Sequence, residues 1–141
     1  MARLVGINHV SLEVGDIDDA LAFYGRFLDF ELRGKRPRMA WIDAGDQFVA
    51  LAVGSGGGLD HVGLVVDDKE AVRRAAADAG LAVAPGGNLR IRDPWGNTLE
   101  IVDYRDVQFT KTREVLRGMG LDGLQKSERA LAELAEKGLA G

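Results

Sequence analysis

The chain repeats itself, and that repeat constrains its fold more than any other feature. Ile7 to Asp16 lies over Leu59 to Asp68 with identity at about half the positions, and His9 falls on His61. Asp43 to Leu51 lies over Asp93 to Ile101 in the same way, with Ala50 opposite Glu100. A period of about 50 residues in a chain of 141 means two copies of one supersecondary unit, which bury their apolar faces together. Within the first copy, residues 4–14 alternate like a strand. Asp16 then offers an N-cap for a helix whose apolar positions are Ile17, Ala20, Leu21, Tyr24, Phe27 and Leu28, with Tyr24 and Phe27 expected in the core. Strands are predicted near 29–33, 38–43 and 47–53. The second copy repeats the order with a strand at 59–66, a helix over 68–79 closed by Gly80, and strands near 81–84, 89–92 and 98–103.

Each copy therefore reads βαβββ, and the expected fold class is α+β. Modules at 4–53 and 59–103, joined by a Gly-rich linker at 54–58, should form one curved, cup-shaped mixed sheet in a domain spanning 1–104. From 105 to 141 the pattern turns helical, near 110–117 and 123–137. Leu124, Leu131, Leu134 and Ala135 make an apolar stripe that needs a surface to cover.

Alternation divides the first and last strands of each copy into two faces. One face holds Val10, Leu12, Val14, Val49, Leu51, Val53, Val62, Leu64, Val66, Leu99 and Ile101, all aliphatic and suited to lie beneath helices. The other holds His9, Ser11, Glu13, Phe48, Ala50, Ala52, His61, Gly63, Val65, Thr98, Glu100 and Val102. Phe48, Val65 and Val102 do not suit plain solvent surface, and buried histidines and glutamates are costly without partners, so this face reads as a concave, partly polar pocket. The chain has two histidines, and both stand at equivalent positions on it. His9, His61 and Glu100 then converge as two imidazoles and a carboxylate, a set suited to a divalent ion (Mn, Fe(II), Ni, Co or Zn) with positions left open for substrate.

Composition narrows the alternatives. Lys plus Arg number 18 against 22 Asp plus Glu, a net charge of -4, and no element carries a basic stripe, which argues against nucleic acid and anionic membrane as partners. The chain has no cysteine, so any metal must be held by His and carboxylates. No apolar run is long enough to span a bilayer, and the N-terminus lacks a signal-peptide layout, so a cytoplasmic protein is expected.

The paired [Ile/Leu]-[Asn/Asp]-His-Val strands resemble the vicinal oxygen chelate superfamily. So do the Asp16-to-Phe30 segment, with Phe23-Tyr24 and Leu28-Asp29-Phe30, and the run Arg92-Asp93-Pro94-Trp95-Gly96-Asn97-Thr98-Leu99-Glu100. That superfamily includes glyoxalases, epimerases, thiol transferases, extradiol dioxygenases and bleomycin-binding proteins. The resemblance covers residues 5–104 and implies metal ligands at positions 9, 50, 61 and 100. Ala50 departs from it, since glyoxalases and epimerases carry Glu or Gln there, and leaves His9, His61 and Glu100. A metal-dependent lyase, isomerase or thiol transferase acting on a small oxygenated metabolite is the function implied. The alternatives are an Fe(II)-dependent ring-cleaving dioxygenase and a non-catalytic binding protein of the bleomycin-resistance kind. With no carboxylate at 50, Glu13 is the nominated proton-shuttling base, its other reading being a solvated strand-end residue. Ser11 replaces a Thr found beside the first ligand in thiol transferases. Arg90 and Arg38 either neutralise an anionic substrate or stand as surface arginines. Phe48 and Trp95 are expected to wall the pocket, with Trp95 alternatively packing in its turn. The resemblance also implies a homodimer.

Overall fold

The computed structural model describes residues 1–55 and 57–139; Gly56 of the expected linker and residues 140 and 141 of the tail lie outside the described residues. The first module runs β1 (Leu4–Val14), α1 (Ile17–Tyr24), β2 (Leu32–Arg36), β3 (Met39–Ala44) and β4 (Gln47–Val53). The second runs β5 (Leu59–Val66), α2 (Lys69–Asp78), β6 (Leu89–Arg92) and β7 (Thr98–Asp103), and the tail carries α3 (Arg113–Gly118) and α4 (Glu128–Glu136). Among the described residues seven strands make one curled mixed sheet in the order β2-β3-β4-β1-β5-β7-β6. β1 lies parallel to β4 and antiparallel to β5, and β5 lies parallel to β7, so the modules join edge to edge through their first strands. No helix among the described residues is long and apolar enough to cross a membrane.

The aliphatic face lies under the helices, as alternation requires. Asp16 starts α1 by accepting from Asp19 N–H at 2.8 Å, and Asp68 starts α2 by accepting from Ala71 N–H at 3.0 Å. Ile17, Ala40, Ile42 and Leu51 form the core with Leu12, Val14, Tyr24, Val49 and Val53 around them. Val66, Leu89 and Ile101 do the same for the second module with Leu64, Val72 and Leu99.

Three expectations are corrected. Residues 81–84 form no strand, so the second module is βαββ and β6 is the sheet's edge. Pro85 follows them without an N–H, and the nearly buried Arg73 of α2 donates to the carbonyls of Ala84 and Gly87 at 2.5 and 3.1 Å, removing acceptors that a further strand would use. Phe27 is 61% exposed rather than in the core, because α1 stops at Tyr24 and leaves it in the following turn against Phe23. The last helix starts at Glu128, not near 123. Ser127 caps it by accepting from Ala130 N–H at 3.2 Å, while its own N–H is spent on the Arg105 carbonyl.

The tail covers its own sheet. Tyr104, Phe109, Leu116 and Leu121 pack with Val5 and Val65 on the face opposite α1 and α2, joined by Val102 and Leu124. Of the expected stripe, Leu134 is buried beside Ala130 in sequence register, while Leu131 is 47% exposed. Lys126 organises this cover: its Nζ donates to the carbonyls of Tyr104, Val107 and Phe109 and sits 3.5 Å over the Tyr104 ring. Burial lowers the Lys126 ammonium to about 8. At the far end of the tail, Lys137 Nζ reaches Asp43 Oδ1 at 2.7 Å and the Gly45 carbonyl at 2.9 Å, tying α4 to the first module.

Two positions make this docking testable. A Cβ on Gly6 would lie 2.4 Å from Phe109 Cζ, so Gly6→Ala is expected to displace the ring and cost about 1–3 kcal/mol in urea unfolding. Asp103 ends β7. Burial raises its pKa, and bonds from the Arg105 side chain and the N–H groups of Lys69 and Arg105 outweigh that, holding it below the usual carboxylate range. Its contribution to stability is present above the unfolded value of about 4 and disappears as pH falls through its lowered folded value. Asp103→Asn is expected to flatten that acid limb in thermal melts recorded between those limits and neutrality.

Candidate metal centre

The sheet register lays the site out in rows. Phe48 of β4, His9 of β1, Gly63 of β5, Glu100 of β7 and Arg90 of β6 are successive cross-strand partners. The adjacent row runs Trp41, Ala50, Ser11 and His61. His9 and His61 thus come from neighbouring strands and neighbouring rows. Gly63 is small because it must be: a Cβ there would sit 2.0 Å from His9 Cε1 and 2.1 Å from Nδ1. The space lets the His9 ring lean across β5, and its Nε2 comes to 2.9 Å from His61 Nε2.

What orients the rings is a pair of bulges. The β1–β5 register steps from Ile7↔Leu64 to His9↔Gly63, making Asn8 the extra residue of β1, and from Ser11↔His61 to Leu12↔Leu59, making Asp60 the extra residue of β5. Each bulge puts a polar side chain beside the histidine that follows it. His9 Nδ1 donates to Asn8 Oδ1 at 2.8 Å, and His61 Nδ1 donates to Asp60 Oδ2 at 2.8 Å. With its hydrogen used at Nδ1, the neutral His9 ring carries a lone pair on Nε2, and that atom faces His61 Nε2. Glu100 completes the group, its Oε1 4.0 Å from His9 Nε2 and its Oε2 3.5 Å from His61 Nε2. Arg90 holds the same Oε2 at 3.0 Å.

Both histidines are 5% exposed. Burial lowers His9 to about 4, against an upward pull from Glu100 and with smaller downward contributions from His61, Arg90 and Arg33, so its ring is neutral at physiological pH. Phe48 stacks flat on His9, centroids 4.4 Å apart and planes at 8°, and shields it on one side. The ligand atoms of His9, His61 and Glu100 lie within 4.8 Å of one another, a grouping that can hold a metal ion. Ser11 is fully buried one row away, and among the described residues its Oγ has no hydrogen-bond partner.

Of the residues singled out in the sequence, the structure brings together His9, His61, Glu100, Phe48 and Arg90, with Ser11 in the adjoining row. It does not bring Glu13 or Trp95 to them. Glu13 turns to the linker, where its carboxylate accepts from Ser55 N–H at 3.3 Å and Ser55 Oγ at 3.4 Å. Trp95 is 84% exposed in a turn closed by Asp93, which accepts from the N–H groups of Trp95 and Asn97. Arg38 also stands apart, its guanidinium 3.5 Å from the Val53 carbonyl. Sequence reasoning missed Asn8 and Asp60, although an Asn or Asp before each histidine was a visible signal. It also missed the far wall: His9, Phe48 and Glu100 open onto a cavity of about 260 Å³ lined by Arg33, Asp46, Asp106, Gln108, Arg129 and Glu133, most of them from the tail.

The profile of the glyoxalase/bleomycin resistance protein/dioxygenase superfamily matches residues 6–101, and the chain belongs to that superfamily. Its fold is that of the vicinal oxygen chelate proteins. A Mn(II)-bound glyoxalase from Novosphingobium aromaticivorans is similar over 79% of this chain, with a TM-score of 0.62 and 24% identity, and the chain spans 43% of that protein. A methylmalonyl-CoA epimerase from Mycobacterium tuberculosis gives 0.59 and 18%, covering 71% of this chain and 88% of its own. An extradiol ring-cleaving dioxygenase from B. fuscum gives 0.60 and 20%, covering 79% and 34%. No curated protein matches the sequence. The matched region stops at residue 101, short of the tail residues Asp106, Gln108, Arg129 and Glu133 that line the cavity.

The glycine opposite His9 gives a direct test. Gly63→Ala is expected to push the His9 ring aside and weaken cobalt(II) binding, followed by visible absorption, by about 10–100-fold.

Proposed function

We propose that the chain is a divalent-metal-dependent enzyme of the vicinal oxygen chelate type, acting on a small oxygenated metabolite. The observation that carries this reading is the 2.9 Å approach of the two Nε2 atoms. With each Nδ1 turned to Asn8 or Asp60, the two Nε2 atoms are the ring atoms that converge on each other and on Glu100, where one cation would be shared by all three. Two nitrogens each about 2.0–2.1 Å from one ion and at right angles around it stand about 2.9 Å apart. His9 Nε2, His61 Nε2 and a Glu100 oxygen would hold the ion, and Mn, Fe(II), Ni, Co and Zn all accept two imidazoles and a carboxylate. Bound there, the ion supplies Lewis acidity to adjacent substrate oxygens and stabilises the charge that develops on them.

The remaining residues serve that chemistry from fixed positions. Asn8 and Asp60 lock the tautomer and the angle of each ring. Arg90 holds Glu100 in place. Phe48 keeps water off one face of His9. Ala50, 2% exposed beside Ser11, contributes no ligand, which leaves more positions open to substrate than a four-ligand set would. A cavity of about 260 Å³ suits a small metabolite.

Elemental analysis of the untagged protein after reconstitution with each candidate ion tests the reading. About one metal per chain is expected, lost in His61→Ala and in Glu100→Ala. Persistent absence of bound metal would overturn it in favour of a binding protein. Loading by Fe(II) coupled to oxygen consumption with a catechol would move it to the dioxygenase class.

A further inference from the structure

A second cavity, of about 330 Å³, opens within the tail and shares no lining residue with the metal cavity. Its most deeply buried walls are Tyr104 and Leu116, 2% and 7% exposed, with Leu124 half-buried beside them. Leu131 of α4 lines it too. That residue belongs to the apolar stripe whose other α4 leucine, Leu134, is buried. Leu131 nevertheless stays 47% exposed, because what lies in front of it is this opening rather than packed protein. Apolar surface facing a cavity of ligand size is surface that an apolar group can still cover.

The charged part of the lining is cationic. Lys111, Arg113 and Lys126 stand around the cavity against one acid, Asp122, in a chain whose net charge is -4. Among the described residues none of the three makes an ion pair, whereas Arg105 and Lys137 of the same tail each do. Lys126 is half-buried. Its three hydrogens go to the carbonyls of Tyr104, Val107 and Phe109, so it offers the cavity charge rather than a bond. Burial lowers its ammonium to about 8, and the opposing pull of Asp46, Asp103 and Asp106 does not make up the loss. An anion in the cavity would act in the same sense as those acids. Lys111, whose Nζ lies 5.5 Å from the centre of the Phe109 ring, and the exposed Arg113 can supply the hydrogen bonds that a carboxylate accepts.

We infer that this cavity is a binding site for a small amphipathic carboxylate, with its anionic head at Lys111 and Arg113 and its apolar body against Leu116, Leu124 and Leu131. A neutral or cationic molecule of the same shape would cover the leucines and leave the cations unmatched. A carboxylate without an apolar body would leave the leucines open. The site lies beyond the residues that match the superfamily profile, and it does not depend on the metal reading. It touches the metal cavity through shared elements: Tyr104 and Thr110 bracket the loop whose Asp106, Val107 and Gln108 wall that cavity, and α4 supplies Leu131 to one cavity and Arg129 and Glu133 to the other. An occupant of the tail cavity therefore braces the loop and the helix that wall the metal cavity.

The test uses full-length, isotope-labelled protein stripped of metal, so that no ion can take the carboxylate, titrated with sodium hexanoate near neutral pH and followed by amide NMR shifts. The shifts are expected to saturate, with half-saturation on the order of 0.1–1 mM, and to centre on residues 104–113 and 124–131. Hexanol, hexylamine and acetate should each bind at least roughly tenfold more weakly. Two variants separate head from body: Lys111→Gln combined with Arg113→Gln removes the cations, and Leu131→Gln removes apolar wall. Each is expected to weaken hexanoate about tenfold while the remaining spectrum stays that of the folded protein. Shifts that never saturate, equal binding of hexanol or hexylamine, shifts centred on His9 and His61 instead, or undiminished hexanoate binding in either variant would each overturn the inference.

Discussion

Two buried imidazole nitrogens facing each other at 2.9 Å beside a carboxylate form an arrangement that ordinary sheet packing does not require. Everything near the centre of this protein is arranged to permit it. Gly63 gives up its side chain so that His9 can cross β5. Each of the two central strands gives up regular pairing just before its histidine, at Asn8 or Asp60, so that an acceptor stands beside the ring that follows. Burial adds the last condition by keeping His9 neutral. The energetic cost is concentrated where a cation would repay it, which is how functional sites differ from the ordered core around them.

The pseudo-twofold relation between the modules is used for this purpose and then broken. The His positions and the bulged residues before them correspond, but two residues further along Ser11 stands opposite Gly63 in the repeat, and Ala50 opposite Glu100. Symmetry brings the histidines together; asymmetry decides that one ring leans over a glycine and that only one last strand supplies a carboxylate. The tail follows the same division. It packs Phe109, Leu116 and Leu121 over the sheet face near Val5 and Val65, and places its polar residues over the metal-binding floor.

Much of this could be read in the chain. Strict alternation made β4, β5, β6 and β7 legible to the residue, and the repeat assigned His9, His61 and Glu100 to one face. Alternation also explains what was missed. It places Asn8 and Asp60 on the face opposite their histidines, and only a bulge, a matter of pairing between distant strands, reverses that. The strand expected at 81–84 failed because a guanidinium from α2 took its acceptors, a contact with no local signature. Glu133, Gln108 and Arg129 were invisible as site residues because nothing in a helical tail's periodicity says which surface it will meet. Glu13 satisfied the alternation rule and still faces the linker, since the rule fixes a side of the sheet and not a position along it.

The contact between Lys137 and Asp43 joins residues 94 positions apart, whereas the histidine pair and Glu100 all lie within the first hundred residues. Contacts of such separation form late, because the entropy of closing a long loop must be met before they contribute. The last stretch of chain therefore closes over strands whose sequence already contains both histidines and Glu100, and the far wall of the cavity is the part of the centre that depends on the end of the chain.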